Sequence, residues 1–238
     1  MRGRDRVKLA SLETMSENQK AFAGLFLLIA AVMAALFIPA GTIHYWQAWI
    51  FLAFFFVPAL AITGYLMAKD PKLLARRMRG GPTAEKQPAQ KIIMSIVSVG
   101  FIALLVVPAL DHRFAWSHMP AAVALAGNAL MAIGWLAIFF VFRENSFSSA
   151  TVEIADDQKV VSTGPYAWVR HPMYTGALIM LLGMPVALGS WWGVAVLLAM
   201  LPAFVWRVFD EERFLTENLN GYAEYKQKVR FRLIPGIW

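Results

Sequence analysis

The chain has 238 residues, 22 Lys and Arg against 15 Asp and Glu for a formal charge of +7, and no cysteine. It is 59% hydrophobic and only 16% charged, against about 25% charged residues in soluble domains, and its mean hydropathy is +0.55. That excludes disulfide scaffolds and Cys-ligated metal sites, and it leaves more apolar surface than one 26.6 kDa globule can bury, so the bilayer is the expected solvent.

Six apolar stretches follow in order: Phe22 to Pro39, Trp46 to Met67, Ile92 to Leu110, Pro120 to Phe142, Tyr174 to Leu188 and Trp191 to Phe209. None contains an acidic residue, and the single basic one, Arg207, stands near the end of the last. At 1.5 Å per residue the first four reach about 27 to 34 Å, enough for a hydrocarbon core of about 30 Å. The fifth reaches only about 22 Å and, with the Gly189-Ser190 break, reads as one arm of a short hairpin with the sixth. The basic leader and the 18-residue first stretch are long for a cleaved signal, so an uncleaved span is expected.

Charge gives the orientation. The N-terminal segment, the 68–91 loop, the 143–173 loop and the tail from Arg207 hold 21 of the 22 Lys and Arg, which predicts that all four are cytoplasmic, with both termini inside and an inner-membrane location in a bacterium. Trp46, Trp116, Trp191 and Trp192 fall at the opposite ends, as interfacial anchors do. The +7 therefore needs no nucleic acid. The 68–91 loop, broken at Gly80-Gly81-Pro82, is expected to set topology and attract anionic lipid rather than bind a ligand. The predicted architecture is all-α, a polytopic membrane bundle of about six segments: residues 1–142 form a four-span region and 143–238 a catalytic region of loop, hairpin and tail.

Two polar regions are longer than helix connections require. The first ends in Gly164-Pro165-Tyr166-Ala167-Trp168-Val169-Arg170-His171-Pro172-Met173-Tyr174. Pro172 can open a helix, which places Arg170 and His171 as donors beside its free N–H groups, a suitable seat for a carboxylate or phosphate. As single residues these read as headgroup contacts, and Tyr166, Trp168 and Tyr174 as belt aromatics. The second region runs from Trp206 to Leu215. On a continued helix Arg207 and Glu211 share one face, either as a functional pair or as an ion pair capping the span, and Asp210 lies three residues from both Arg207 and Arg213. Glu212 and Arg213 are expected in solvent. Tyr222, Tyr225 and the run Lys226 to Arg232 read as an amphipathic interfacial segment. His44, His112 and His118 fall on predicted outer segments and His171 on an inner one, so no metal cluster is expected. No nucleotide-loop or nucleophile-elbow motif is present.

G-P-Y-x-x-V-R-H-P-x-Y-x-G at Gly164 to Gly176, followed by E-E-x-x-L at Glu211 to Leu215, resembles the isoprenylcysteine carboxyl methyltransferase and phospholipid methyltransferase family over roughly Asn145 to Trp238. The R-H-P-x-Y half alone is shared with membrane sterol reductases. The resemblance implies an integral membrane methyltransferase using S-adenosylmethionine, with cofactor contacts at Gln158, Val160, Val161, Tyr166, His171, Pro172, Met173, Tyr174 and Glu211, and with Arg207 facing the methyl acceptor. The family's further upstream glutamine falls on Thr151, a departure. On this basis the best expectation is carboxyl O-methylation of a prenylcysteine-like thioether. Phospholipid N-methylation and thiol S-methylation are the alternatives within the class, and an NADPH-dependent sterol-reductase-like enzyme or a membrane transporter or scaffold are those outside it. Arg207 and Glu211 are the expected catalytic pair. Membrane lipids and a lipophilic acceptor are the expected partners, and an amine or thiol acceptor would need a base from among His171, Glu211 and Glu212.

Overall fold

The computed structural model describes residues 17–238; the basic leader, apart from residues 17–20, lies outside that range. Eight α-helices run α1 Glu17–Ala40, α2 Trp46–Lys69, α3 Pro71–Met78, α4 Pro88–Phe114, α5 Ala121–Glu144, α6 Pro172–Ala187, α7 Trp191–Asn218 and α8 Tyr222–Lys228, and no strand occurs among the described residues. Five of them (α1, α2, α4, α5 and α7) are long and apolar enough to cross a membrane. The sixth expected segment, α6, has 16 residues, about 24 Å, and makes the short arm of the hairpin with α7. The five long helices each overrun their apolar stretch at one end or both, because a helix can continue on polar residues once it has left the bilayer. The largest overrun belongs to α7, which carries Arg207, Glu211 and Glu212 on an unbroken 28-residue rod.

The bundle is held tightest between α5 and α6. Gly127 and Gly134 on α5 face Gly183 and Gly176 on α6, seven residues apart on each helix. A Cβ at Gly127 would stand 2.3 Å from the Ala187 backbone N, and one at Gly134 would stand 2.6 Å from the Met180 N. No side chain larger than hydrogen fits, and in lipid such close backbone approach supplies packing where hydrophobic exclusion cannot. A core of Leu36, Phe51, Phe55, Leu104, Met131 and Met184 fills the space between α1, α2, α4, α5 and α6.

The two ends of the bundle differ in kind. At the end that carries the α6–α7 turn, Asp111 is buried and accepts from Ser117 N at 2.7 Å, Ser117 Oγ at 2.6 Å and Ser190 Oγ at 2.5 Å, while Ser190 Oγ also caps α7 at Gly193 N. Tyr45 donates to the Leu188 carbonyl at 2.6 Å. Trp46, Trp116, Trp191 and Trp192 at this end are all exposed, as anchors should be. The other end holds α3, the 145–171 loop and α8, folded together over the mouths of α4 to α7.

Candidate active site

At that basic end α3 is a clamp rather than a bare topological signal. Asp70 caps it, accepting from Leu73 N at 2.9 Å, and Pro71 opens it. The capped turn aims Arg76 at the Ser146 carbonyl (2.7 Å) and Arg77 at the Ser149 carbonyl (2.9 Å), which pins the loop after α5. The loop then turns through a short 3₁₀ segment, Gly164–Ala167, where Gly164 takes a positive φ of 55° and Thr163 bonds the Glu144 carboxylate. Tyr166 is held from both sides: Asn145 Nδ2 donates to its hydroxyl at 2.8 Å and Tyr225 donates to its carbonyl at 2.7 Å. Burial pushes the Tyr166 phenol up to about 12, so it stays neutral.

A cavity of about 430 Å³ lies beneath these elements, within the roughly 300–1,000 Å³ of small-molecule sites. All ten residues named as cofactor or acceptor contacts line it: Gln158, Val160, Val161, Tyr166, His171, Pro172, Met173, Tyr174, Arg207 and Glu211. Thr151, the departure from the family pattern, lines it too. The cavity has a polar chamber and an apolar arm. The arm is walled by Met94, Val97 and Phe101 on α4, Trp135, Ile138 and Phe142 on α5, Met180 and Leu181 on α6, and Met200 and Phe204 on α7. Met200 is two helical turns below Arg207, so the arm reaches about 10 Å into the bundle. Its walls come from both sides of residue 142, so the division into an N-terminal membrane region and a C-terminal catalytic region does not bound this cavity.

Several expectations are corrected by the partners the side chains take. Arg207 makes no ion pair with Glu211. Its Nη1 meets Glu85 Oε1 at 3.0 Å and Gln90 Oε1 at 2.7 Å, its Nη2 meets the Ala150 carbonyl at 3.2 Å, and its Nε donates to Tyr174 OH at 2.8 Å. Tyr174 in turn donates to Glu211, so the phenol stands between the two charges. Glu85 and Gln90 belong to the 68–91 loop and the start of α4, so this basic stretch builds the site and is not confined to topology. Glu85 is fully enclosed, its other oxygen accepting from Val152 N at 3.1 Å. Asp210 pairs with Arg213, as its spacing allowed, and accepts from Gln90 Nε2 at 2.6 Å.

Glu212 is not in solvent. It is 3% exposed, its Oε1 accepts from Arg170 Nε at 2.6 Å and lies 3.2 Å from His171 Nε2, and its Oε2 accepts from Arg232 Nε at 2.9 Å. Three potential cations around one carboxylate offset its desolvation. Arg170 and His171 are therefore not free donors at the start of α6; each is turned toward this knot. Arg170 also bonds the Val229 and Arg230 carbonyls, and its backbone N, with that of His171, bonds Phe231 and Arg232, which straps the tail across the α6 start. The tail is not an interfacial helix either: Tyr222 and Tyr225 are buried, pack with Leu219 and Val229 against Val160 and Tyr166, and face the cavity. Of the three supposed belt aromatics only Trp168, 71% exposed, fits that role.

The residues the sequence did not flag are Arg77, Glu85, Gln90 and Trp135, and Tyr222 was placed at the membrane interface rather than in the site. Glu85 carried a faint signal, since it is an acid in a basic loop with no helix to cap, unlike Asp70. Trp135 carried another, an indole in mid-span rather than at an interface. Tyr222 OH and Trp135 Nε1 are buried, line the cavity and have no hydrogen-bond partner among the described residues. Among the described residues no metal-binding cluster of His, Asp or Glu occurs.

Fold and site together define a polytopic helical membrane protein with a cavity that joins a charged chamber to an apolar arm. Residues 122–221, from the start of α5 to the end of α7 and the turn after it, match the phospholipid methyltransferase family, a match over less than half of the chain. A 75-residue stretch is 35% identical to the protein-S-isoprenylcysteine O-methyltransferase of Schizosaccharomyces pombe, covering 31% of this chain and 32% of that relative. The chain thus spans about a third of the length of the curated relative it matches. Arg77, Glu85, Gln90 and Tyr222 all fall outside the family-matched stretch.

Proposed function

We propose that the protein transfers a methyl group from S-adenosylmethionine to a lipophilic acceptor, with carboxyl O-methylation of a prenylcysteine-like thioether as the best-supported reaction. The observation that carries this is the junction of the two chambers: charged and phenolic groups above, an apolar arm about 10 Å deep below, and Arg207 and Tyr174 between them. The chamber suits the methyl donor. Glu211 meets a neutral phenol and no cation among the described residues, so its charge is available to an ammonium group. Tyr222 OH is an unused hydrogen-bonding group on the same wall. Gln158, Val160, Val161 and Tyr166 would enclose the adenosine, and the free N–H groups at the start of α6, beside His171, would face the methionyl carboxylate.

The cofactor supplies an electrophilic methyl on a sulfonium. Bound there, it would pass that methyl to an acceptor oxygen and would leave as the neutral thioether. The chain's part is to align the two partners and keep water out. An acceptor that is already a carboxylate needs no base, and the geometry favours such an acceptor. Of the three candidate bases, His171 and Glu212 are tied to one another in the buried knot, leaving Glu211 alone. The charge pattern of the loops supports a cytoplasmic chamber and an acceptor arriving from the bilayer.

The test is thermal unfolding of the detergent-solubilised chain with S-adenosylhomocysteine, which at about a hundred times its Kd stabilises a binding protein by about 2.7 kcal/mol. It is paired with transfer of labelled methyl to prenyl-thioether carboxylates, amine phospholipids and thiols. A chain that ignores S-adenosylhomocysteine sinks the activity; labelling of amines or thiols alone sinks the carboxylate acceptor.

A further inference from the structure

Three guanidinium groups line the cavity, those of Arg77, Arg170 and Arg207. Two are matched by buried carboxylates, Arg170 by Glu212 at 2.6 Å and Arg207 by Glu85 at 3.0 Å. Arg77 makes no ion pair among the described residues. Its Nη1 donates to the Ser149 carbonyl at 2.9 Å and its plane lies over Phe142, 5.2 Å from the ring centroid, while Nε and Nη2 have no partner among those residues. Arg77 is only partly buried, so its open N–H groups face the cavity rather than protein, and guanidinium forks match carboxylate and phosphate oxygens in shape. Burial pulls the Arg77 pKa below that of a free arginine.

Its position says which ligand it meets. Phe142, under the guanidinium, is the top of the apolar arm, and Tyr174, Arg207 and Tyr166 are close enough to interact with it electrostatically. Arg77 therefore stands where the chamber narrows into the arm. Arg207, the residue the family resemblance assigns to the acceptor, has four of its five N–H groups already engaged and its charge matched by Glu85. We infer that Arg77 binds the anionic head, a carboxylate or a phosphate monoester, of an amphipathic methyl acceptor whose apolar chain occupies the arm, while Arg207 positions Tyr174 beside it. This rests on the methyl-transfer reading only in naming the ligand an acceptor. Arg77 lies outside residues 122–221, so the specificity it confers would come from this chain's own N-terminal half.

The experiment measures binding to the full chain in an uncharged maltoside detergent by thermal shift at graded ligand concentrations. The probes are N-acetyl-S-geranyl-L-cysteine, its neutral carboxamide, dodecyl phosphate and S-adenosylhomocysteine. We expect at least one anionic probe to bind about tenfold or more tighter than the carboxamide, as a desolvated charge-assisted pair should. Arg77→Gln should bring that ratio within about twofold, Arg77→Lys, which keeps the charge but loses the fork and the stacking on Phe142, should retain only part of it, and neither should alter the S-adenosylhomocysteine shift. The better of the two anions names the head group. Equal affinities for acid and amide on the unaltered chain overturn the inference without any variant. So does a ratio that survives Arg77→Gln, and so does a loss of S-adenosylhomocysteine binding with the ratio intact, which would assign the guanidinium to the cofactor's carboxylate. A charge preference in a chain that ignores S-adenosylhomocysteine would remove the methyl-transfer activity and keep the anion site.

Discussion

The two ends of the bundle solve the same problem in opposite ways. At one, Asp111, Ser117, Ser190 and Tyr45 form a small polar cluster in which each of these donors finds an acceptor. At the other, the Glu212 knot is just as closed, yet one cavity beside it carries on its wall a carboxylate without a cation, a cation without a carboxylate and, among the described residues, two unpartnered donors, Tyr222 OH and, deeper in the arm, Trp135 Nε1. Buried polar groups that satisfy one another hold a fold, whereas those left open are held for something else. The lesson is that polarity near a membrane face does not mark a site; incomplete pairing around a cavity does.

The comparison can be broken, most sharply at the closed knots. Glu212→Gln leaves Arg170 and Arg232 without their carboxylate and should destabilise by about 3–5 kcal/mol, seen as a large fall in Tm and release of the tail to proteolysis. Asp111→Ala strands three donors and should cost about 3 kcal/mol in unfolding, while KM for the cofactor in the surviving folded molecules stays unchanged. If that variant instead altered cofactor affinity, the two ends would not be independent.

On the open side the expected losses move from stability to activity. Arg207→Ala should lower turnover about a hundredfold, about 2.7 kcal/mol of transition-state stabilisation, and keep the S-adenosylhomocysteine shift although uncompensated Glu85 lowers the starting Tm. Unchanged turnover would remove Arg207 from the acceptor side. The smallest effect belongs to Tyr222→Phe. Its hydroxyl has no partner to lose, so stability should stay within about 0.5 kcal/mol, while S-adenosylhomocysteine affinity should fall severalfold. A variant that loses stability and keeps affinity would show the hydroxyl to be structural after all.

How far the sequence could be read depends on the range of the interaction. The helices were legible because apolar runs bounded by Gly, Pro and charge leave few alternatives in lipid, and even the shortness of α6 was countable. The motif residues from Gln158 to Tyr174, with Arg207 and Glu211, were legible because they lie on two continuous segments. Their partners were not. A helix-spacing rule pairs Arg207 with Glu211, but a guanidinium can take any carboxylate within reach, and Glu85, 122 residues away in sequence, reaches it better. Glu212 read as solvated for the same reason, since nothing local to it shows that the tail will fold back and bring Arg232. The tail's aromatic and basic pattern fits an interfacial helix as well as the buried α8 it forms, because amphipathicity says that one face is covered and not by what.

Length, composition and the distribution of charge thus determined by themselves that this is an all-helical membrane protein with its polar segments gathered at one end, since the cost of placing backbone and charge in lipid acts on every residue separately. Only the tertiary structure decided which of the buried charges are matched. That is a property of pairs drawn from distant segments, and it separates Arg170 and Arg207, matched within the chain, from Arg77, left open above the apolar arm.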